Sequence, residues 1–131
     1  MFVALSSFDE GTPGKPGHIF RTTDARSAAP TWTNVSPPDH LPFNVIVIDP
    51  RDSNSIYAGG DIGLWYSPDR GAGWQRWGLP TVGVYDLRIN PTTNVVVAFT
   101  RKNCLGARLC CGVWSRRSTS ATRVTTPAVP G

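Results

Sequence analysis

Charge, sulfur and long apolar runs are all scarce in this chain of 131 residues, and each shortage removes a class of explanation. Charged residues make up 17% of it, and the nine acidic ones stop at Asp86, with Glu10 as the single glutamate. The three cysteines, Cys104, Cys110 and Cys111, all fall late, and no histidine follows His40. An odd cysteine count leaves one thiol over in any disulfide framework, while a tetrahedral zinc site needs four ligands, usually as two close pairs. Adjacent Cys110 and Cys111 would also point to opposite faces of an extended chain. No metal and no other cofactor is therefore expected. The longest apolar runs, at residues 45–48 and 95–99, fall far short of the ~20 residues that cross a bilayer, so no membrane partner is expected. Met1 runs straight into Phe-Val-Ala-Leu with no basic flank and no small-residue cleavage site, so no signal peptide is read in this chain.

Turn formers are plentiful instead. The 13 glycines and 12 prolines suit many short strands joined by tight turns and argue against a helical bundle. At 14.2 kDa there is room for one globular core. Charge is divided unevenly along the chain: up to Asp86 six basic residues face nine acidic ones, and beyond it seven basic residues face none. Arg116-Arg117 followed by Ser, Thr and Pro lacks the clustered cations and stacking aromatics of a phosphate-binding tract, so no nucleic acid is expected. Residues 101–131 read as a basic, Cys-containing, Ser/Thr/Pro-rich tail with little regular structure.

An internal repeat organises the rest. Gly17-His18-Ile19-Phe20-Arg21-Thr22-Thr23-Asp24 aligns with Ile62-Gly63-Leu64-Trp65-Tyr66-Ser67-Pro68-Asp69, and Trp32 aligns with Trp74. Ile48-Asp49-Pro50 matches Ile89-Asn90-Pro91 in the same way, with Asn54 facing Asn94. A period of ~40–50 residues holding about four short strands marks a β-propeller blade, whose faces are buried only by stacking on neighbouring blades. Strands are placed at residues 2–5, 18–22 and 31–35, then 44–49, 55–59, 63–67 and 74–77, then 84–89, 94–100 and 112–115. The expected architecture is an all-β, partial propeller arc, with one complete four-stranded antiparallel blade (about 43–78) flanked by two incomplete ones (about 1–36 and 83–100). Residues 45–48 are apolar on both faces, as a strand sandwiched between blades requires.

Ser67-Pro68-Asp69-Arg70-Gly71-Ala72-Gly73-Trp74 sits where a third strand must reverse into a fourth. Asp69 is suited to accept backbone N–H groups two residues on, Pro68 to fix φ, Gly71 to take a positive φ, and Trp74 to cover the hairpin. The earlier copy, Thr22, Asp24 and Trp32, has eight residues from Asp to Trp instead of five, with Arg26 at the glycine position, and so predicts a looser hairpin. These residues resemble the Asp-box, or BNR, repeat of sialidases, sortilin-type receptors, xyloglucanases and photosystem II assembly factors, over about residues 1–100. The phrases at residues 17–24 and Val84-Tyr85-Asp86-Leu87 resemble the closing blades of bacterial proteins of this group. The resemblance implies that the boxes lie on the blade periphery and serve the fold, and it implies an exported parent. Resembling closing blades continue into His-Gly-Arg-Gly, whereas here Thr100 is followed by Arg101-Lys102-Asn103-Cys104; repeat likeness, acidic residues and the expected motif stop together, as at a frame or gene boundary.

Chemistry is harder to find. Glycoside hydrolysis needs two positioned carboxyl groups, for which Asp49, Asp52, Asp61 and Asp86 are candidates. The first three occupy ordinary turn positions. Asp86 is the strongest, because it interrupts an inner strand, although it can equally pair with Arg88 on the same face. The resemblance to sialidases implies an arginine cluster and a tyrosine activated by a glutamate, but Glu10 lies in a Gly/Pro-rich loop. His18 and His40 have no partnering motif. Trp65, Tyr66 and Trp77 can stack on sugar rings or, as strand residues, fill the space between blades. The expected function is a non-catalytic repeat segment of a larger carbohydrate- or protein-binding propeller. Its partners are the remaining blades or a second copy, with a glycan or protein as ligand. The alternative is part of a sialidase- or xyloglucanase-like glycoside hydrolase with catalytic groups divided between this arc and other blades.

Overall fold

The computed structural model describes residues 1–6, 18–38, 41–77, 81–101 and 110–115. Among the described residues, ten strands form three antiparallel sheets. The first contains β1 (Phe2–Ala4), β2 (Ile19–Arg21) and β3 (Thr33–Asn34), in that order. The second runs β4 (Phe43–Asp49), β5 (Asp52–Gly60), β6 (Gly63–Ser67) and β7 (Gln75–Arg76). The third holds β8 (Gly83–Ile89), β9 (Val95–Arg101) and β10 (Cys110–Ser115), with β9 in the middle. The chain is thus an all-β propeller arc with one complete four-stranded blade between two incomplete ones.

Local sequence explains the sharp reversals. Asp49 follows the apolar run of β4 and turns its Oδ1 back to accept the Arg51 N–H at 2.9 Å. Asn90 repeats the device after β8, accepting from the N–H groups of Thr92 and Thr93. Such side-chain turns let a chain leave a strand without orphaning its backbone donors. The inner strands also share an irregularity: register shifts between Phe43 and Val45 in β4, and between Val84 and Asp86 in β8. The two blades therefore correspond position by position, with Val45 opposite Gly59 where Asp86 is opposite Phe99, and Val47 opposite Tyr57 where Arg88 is opposite Val97.

Two apolar clusters hold the arc together, one in each gap between sheets. Ile19, Val35, Phe43, Ala58 and Trp65 fill the first, with Phe2, Ala4, Ile46 and Trp74 packed against them. Tyr57, Leu64, Val84, Leu87, Val96 and Ala98 fill the second, with Val45, Val47, Tyr66, Trp77 and Ile89 around them. Strand alternation produces this division, since Tyr57 and Leu64 face one way and their neighbours Ala58 and Trp65 the other. Each buried aliphatic side chain contributes about 1.5–3 kcal/mol, so stacking of blades dominates over any single turn. Gly59 permits a close approach: a Cβ there would lie 2.6 Å from Val84 Cγ1.

Several expectations shift on inspection. β5 begins at Asp52 instead of Ser55, because Asp52 pairs with Asp49 across the turn. β3 and β7 are only two residues long. Within residues 45–48 the two-sided burial stops at Val47; Ile48 is 42% exposed at the end of the strand. β9 reaches Arg101, and β10 spans Cys110–Ser115, longer than the strand expected at 112–115. Register pairing explains the added length, with Cys110 opposite Thr100 and Ser115 opposite Val95. The rest of the expected tail, at 102–109 and 116–131, lies outside the described residues, as do Glu10, His40 and Cys104.

Candidate functional site

Two Ser/Thr-x-Asp turns, at Thr22–Asp24 and Ser67–Asp69, are held by side-chain bonds to the backbone. In the later one Ser67 is fully buried at the end of β6. Its hydroxyl donates to Asp69 Oδ1 at 2.8 Å and accepts the Gly71 N–H at 2.8 Å. Asp69 then accepts the Gly73 N–H, also at 2.8 Å. The bond expected from Asp69 to the residue two positions on is thus made by Ser67, and Asp69 reaches four positions on. Arg70 and Gly71 both take positive φ, 60° and 88°. A Cβ on Gly71 would lie 3.0 Å from Val35 Cβ, so the glycine serves a contact with the first sheet as well as a turn.

Trp74 also departs from expectation. Its ring joins the cluster between the first two sheets, and its indole N–H donates to the Val35 carbonyl at 2.6 Å. The tryptophan fastens one blade to the preceding one, beyond any cover it gives its own hairpin. Sequence reading missed Val35 as the receptor because nothing in a Thr-Asn-Val-Ser stretch marks a carbonyl as an acceptor for a residue 39 positions on.

The earlier turn uses the same chemistry over a longer path. Thr22 is buried and its hydroxyl donates to Asp24 Oδ1, while Asp24 accepts the Thr31 N–H at 3.0 and 3.2 Å. Arg26, at the glycine position, does not adopt positive φ, so this turn makes no demand for glycine there. Trp32 remains 39% exposed. Both carboxyl groups sit below the ordinary aspartate value: the Thr22 hydroxyl and then the Thr31 N–H stabilise the Asp24 anion, and the Gly73 N–H and then the Ser67 hydroxyl stabilise that of Asp69.

Asp86 follows the shift in β8, on the face opposite Leu87. It is 43% exposed, and its Oδ2 lies 3.1 Å from Arg88 Nε in the ion pair that two-residue spacing allows. Its Oδ1 accepts the Leu87 N–H at 2.9 Å. Asn44 at the corresponding shift in β4 donates to Asp61 Oδ1 at 2.9 Å and to the Val84 carbonyl at 3.3 Å. Asn44 thereby ties Asp61 to the start of β8, whereas Asp86 lies in the middle of that strand. Asp49 and Asp52 hold the turn between β4 and β5, where Asp52 accepts from the Asn54 N–H and the Ser55 hydroxyl.

The aromatic candidates lie between blades. Trp65 is 6% exposed in the first gap, with Arg76 Cζ 5.5 Å from its ring centroid. Tyr66 and Trp77 lie with buried Tyr57 in the second gap, at centroid distances of 5.0 Å from Tyr57 and 6.0 Å from each other. Their rings are engaged by protein. His18 is buried, 6.5 Å in ring centroid from Phe43. Among the described residues, no group of three His, Cys, Asp or Glu side chains is placed to hold a metal ion.

Residues that sequence reading did not single out also bridge blades. Arg51 donates from Nε to the Pro91 carbonyl and from a terminal nitrogen to the Thr92 carbonyl, both at 2.7 Å. Its guanidinium fork therefore caps the turn of the next blade. Arg21 reaches the Arg70 carbonyl at 3.3 Å, tying the first sheet to the later turn.

No family model and no curated protein matches the chain. Among solved structures, the crystal structure of an ancestral GH74 enzyme matches over 83% of this chain at 17% identity, with a TM-score of 0.62. The chain spans 15% of the length of that structure. At this identity the likeness is one of fold: the arc resembles part of a propeller glycoside hydrolase.

Proposed function

We propose that this chain is a non-catalytic Asp-box propeller segment, contributing blades to a larger propeller that binds carbohydrate or protein, with the remaining blades or another copy completing the fold. One observation carries the reading. Asp24, Asp49, Asp52, Asp61 and Asp69 each hold a turn or a neighbouring side chain, and Asp86 is bound by Arg88 and the Leu87 N–H. A general acid and base need carboxyl groups directed at a substrate, in a site that excludes water. The test is to assay the purified chain for new reducing ends on xyloglucan, β-glucan and sialosides, with binding followed by calorimetry. Absence of turnover is expected. Turnover that disappears in Asp86→Asn with an unchanged melting curve would replace this reading.

The second reading, part of a glycoside hydrolase, is favoured by the fold likeness. It requires further groups from blades beyond this arc. Fold likeness alone does not select between the two, because one propeller fold hosts both binding and hydrolysis.

A further inference from the structure

The outward face of the third sheet differs from the face of the second sheet that it repeats. Where the second sheet presents Val45 and Val47 to its neighbour, the third carries Asp86 and Arg88. Leu87 and Ile89 point back into the second gap, so strand alternation turns Asp86 and Arg88 outward, where they are 43% and 75% exposed. The registers also equate Gly59 with Phe99 and Tyr57 with Val97. Val96 and Ala98 are fully buried toward the second sheet, leaving Val95, Val97 and Phe99 as a half-buried apolar row beside the ion pair.

This substitution changes what can dock. The third sheet approaches the second so closely that even a Cβ on Gly59 would stand 2.6 Å from Val84 Cγ1. Any further blade docking there must accommodate a benzyl group at the position that corresponds to Gly59. The face needs a partner that leaves room over Phe99 and answers one carboxylate and one guanidinium placed two residues apart.

We infer that a second copy of this chain covers the outward face of the third sheet, about a two-fold axis passing near Leu87. Antiparallel apposition of two β8 strands sets Asp86 of each copy against Arg88 of the other, because an acid and a base placed symmetrically about the axis are self-complementary. The rows Val95, Val97 and Phe99 then meet across the same interface. A radial two-fold keeps both inner strands on the inner side, so the pairing extends the arc. The inference rests on the reading of the arc as a segment that must associate, and it names the associating face.

Sedimentation equilibrium of the full chain tests it. The wild-type chain is expected at twice 14.2 kDa. Arg88→Asp and Asp86→Arg each place like charges across the axis and should weaken the dimer about a hundredfold. An equimolar mixture of the two restores opposite charges in the heterodimer and should recover the wild-type mass. The Asp86→Ala/Arg88→Ala double variant, compared by circular dichroism and melting, separates loss of the interface from loss of the fold: it should fold as the wild type and dimerise more weakly. A monomeric wild type, variants that remain dimeric singly, or a mixture that stays monomeric would each overturn the proposal. None of these outcomes depends on ligand binding or turnover, so failure here is distinct from failure of the proposed function.

Discussion

The two Ser/Thr-x-Asp turns share a hydroxyl, an aspartate and a tryptophan, yet only the later one is shown to be a joint between blades. Ser67 and Asp69 fold a short loop, Gly71 approaches Val35, and the Trp74 indole closes on the Val35 carbonyl. Thr22 and Asp24 fold a longer loop, and Trp32 is left 39% exposed. The polar core of the motif is therefore local and survives insertion, whereas the tryptophan and glycine acquire their roles from the sheet beside them.

Replacing the tryptophans gives the widest separation between the turns. Trp74→Ala removes a ring from the first cluster and a donor from Val35 and should cost about 2–3 kcal/mol, while Trp32→Ala should stay near or below about 0.5 kcal/mol. Urea denaturation of the two variants measures this, and comparable losses would break the distinction. Trp74→Phe isolates the indole bond, for which about 1 kcal/mol is expected.

The glycine comparison comes next. Gly71→Ala strains a residue at φ 88° and presses on Val35, so about 1–2 kcal/mol should be lost. Arg26→Gly adds only unfolded-state freedom, with a loss of a few tenths of a kcal/mol. A stabilising Arg26→Gly would mean that the first turn wants the glycine conformation after all.

Smaller still is the difference between the aspartates. Asp69→Ala should lower the urea midpoint more than Asp24→Ala, since collapse of the later turn also misplaces Trp74. Equal midpoints would show that the bonds within each loop outweigh the joint between sheets.

Acid titration gives the smallest effect. Both carboxyl groups are depressed in the folded chain, so their contribution is fully present above the unfolded aspartate value and is lost as pH falls through the lower folded values. The midpoint should be insensitive to these groups from pH 7 to about 5 and decline below about pH 4, less steeply in Asp69→Asn than in the wild type. An unaltered acid limb in Asp69→Asn would remove Asp69 from the acid response.

Much of this was legible in residue order. The repeat offsets, the turn at Asp49, and the positive φ at Gly71 follow from local rules, and the Asp86–Arg88 pair follows from two-residue spacing. The candidate site was less legible. Trp65, Tyr66 and Trp77 carry the same sequence signature whether they face a sugar or a neighbouring sheet, and only the packing distinguishes those cases. Arg51 gave no signal, because its acceptors are carbonyls, which every residue possesses.

The sequence by itself determined a strand-rich chain with a blade-length period, because alternation, turn residues and repeat spacing act over a few positions. Tertiary structure decided which face of each strand meets which neighbour, that Trp74 belongs to Val35, and that Phe99 stands where its counterpart is Gly59. Those facts depend on contacts between residues about forty positions apart, where close packing and carbonyl acceptors, neither written in local pattern, determine the partner.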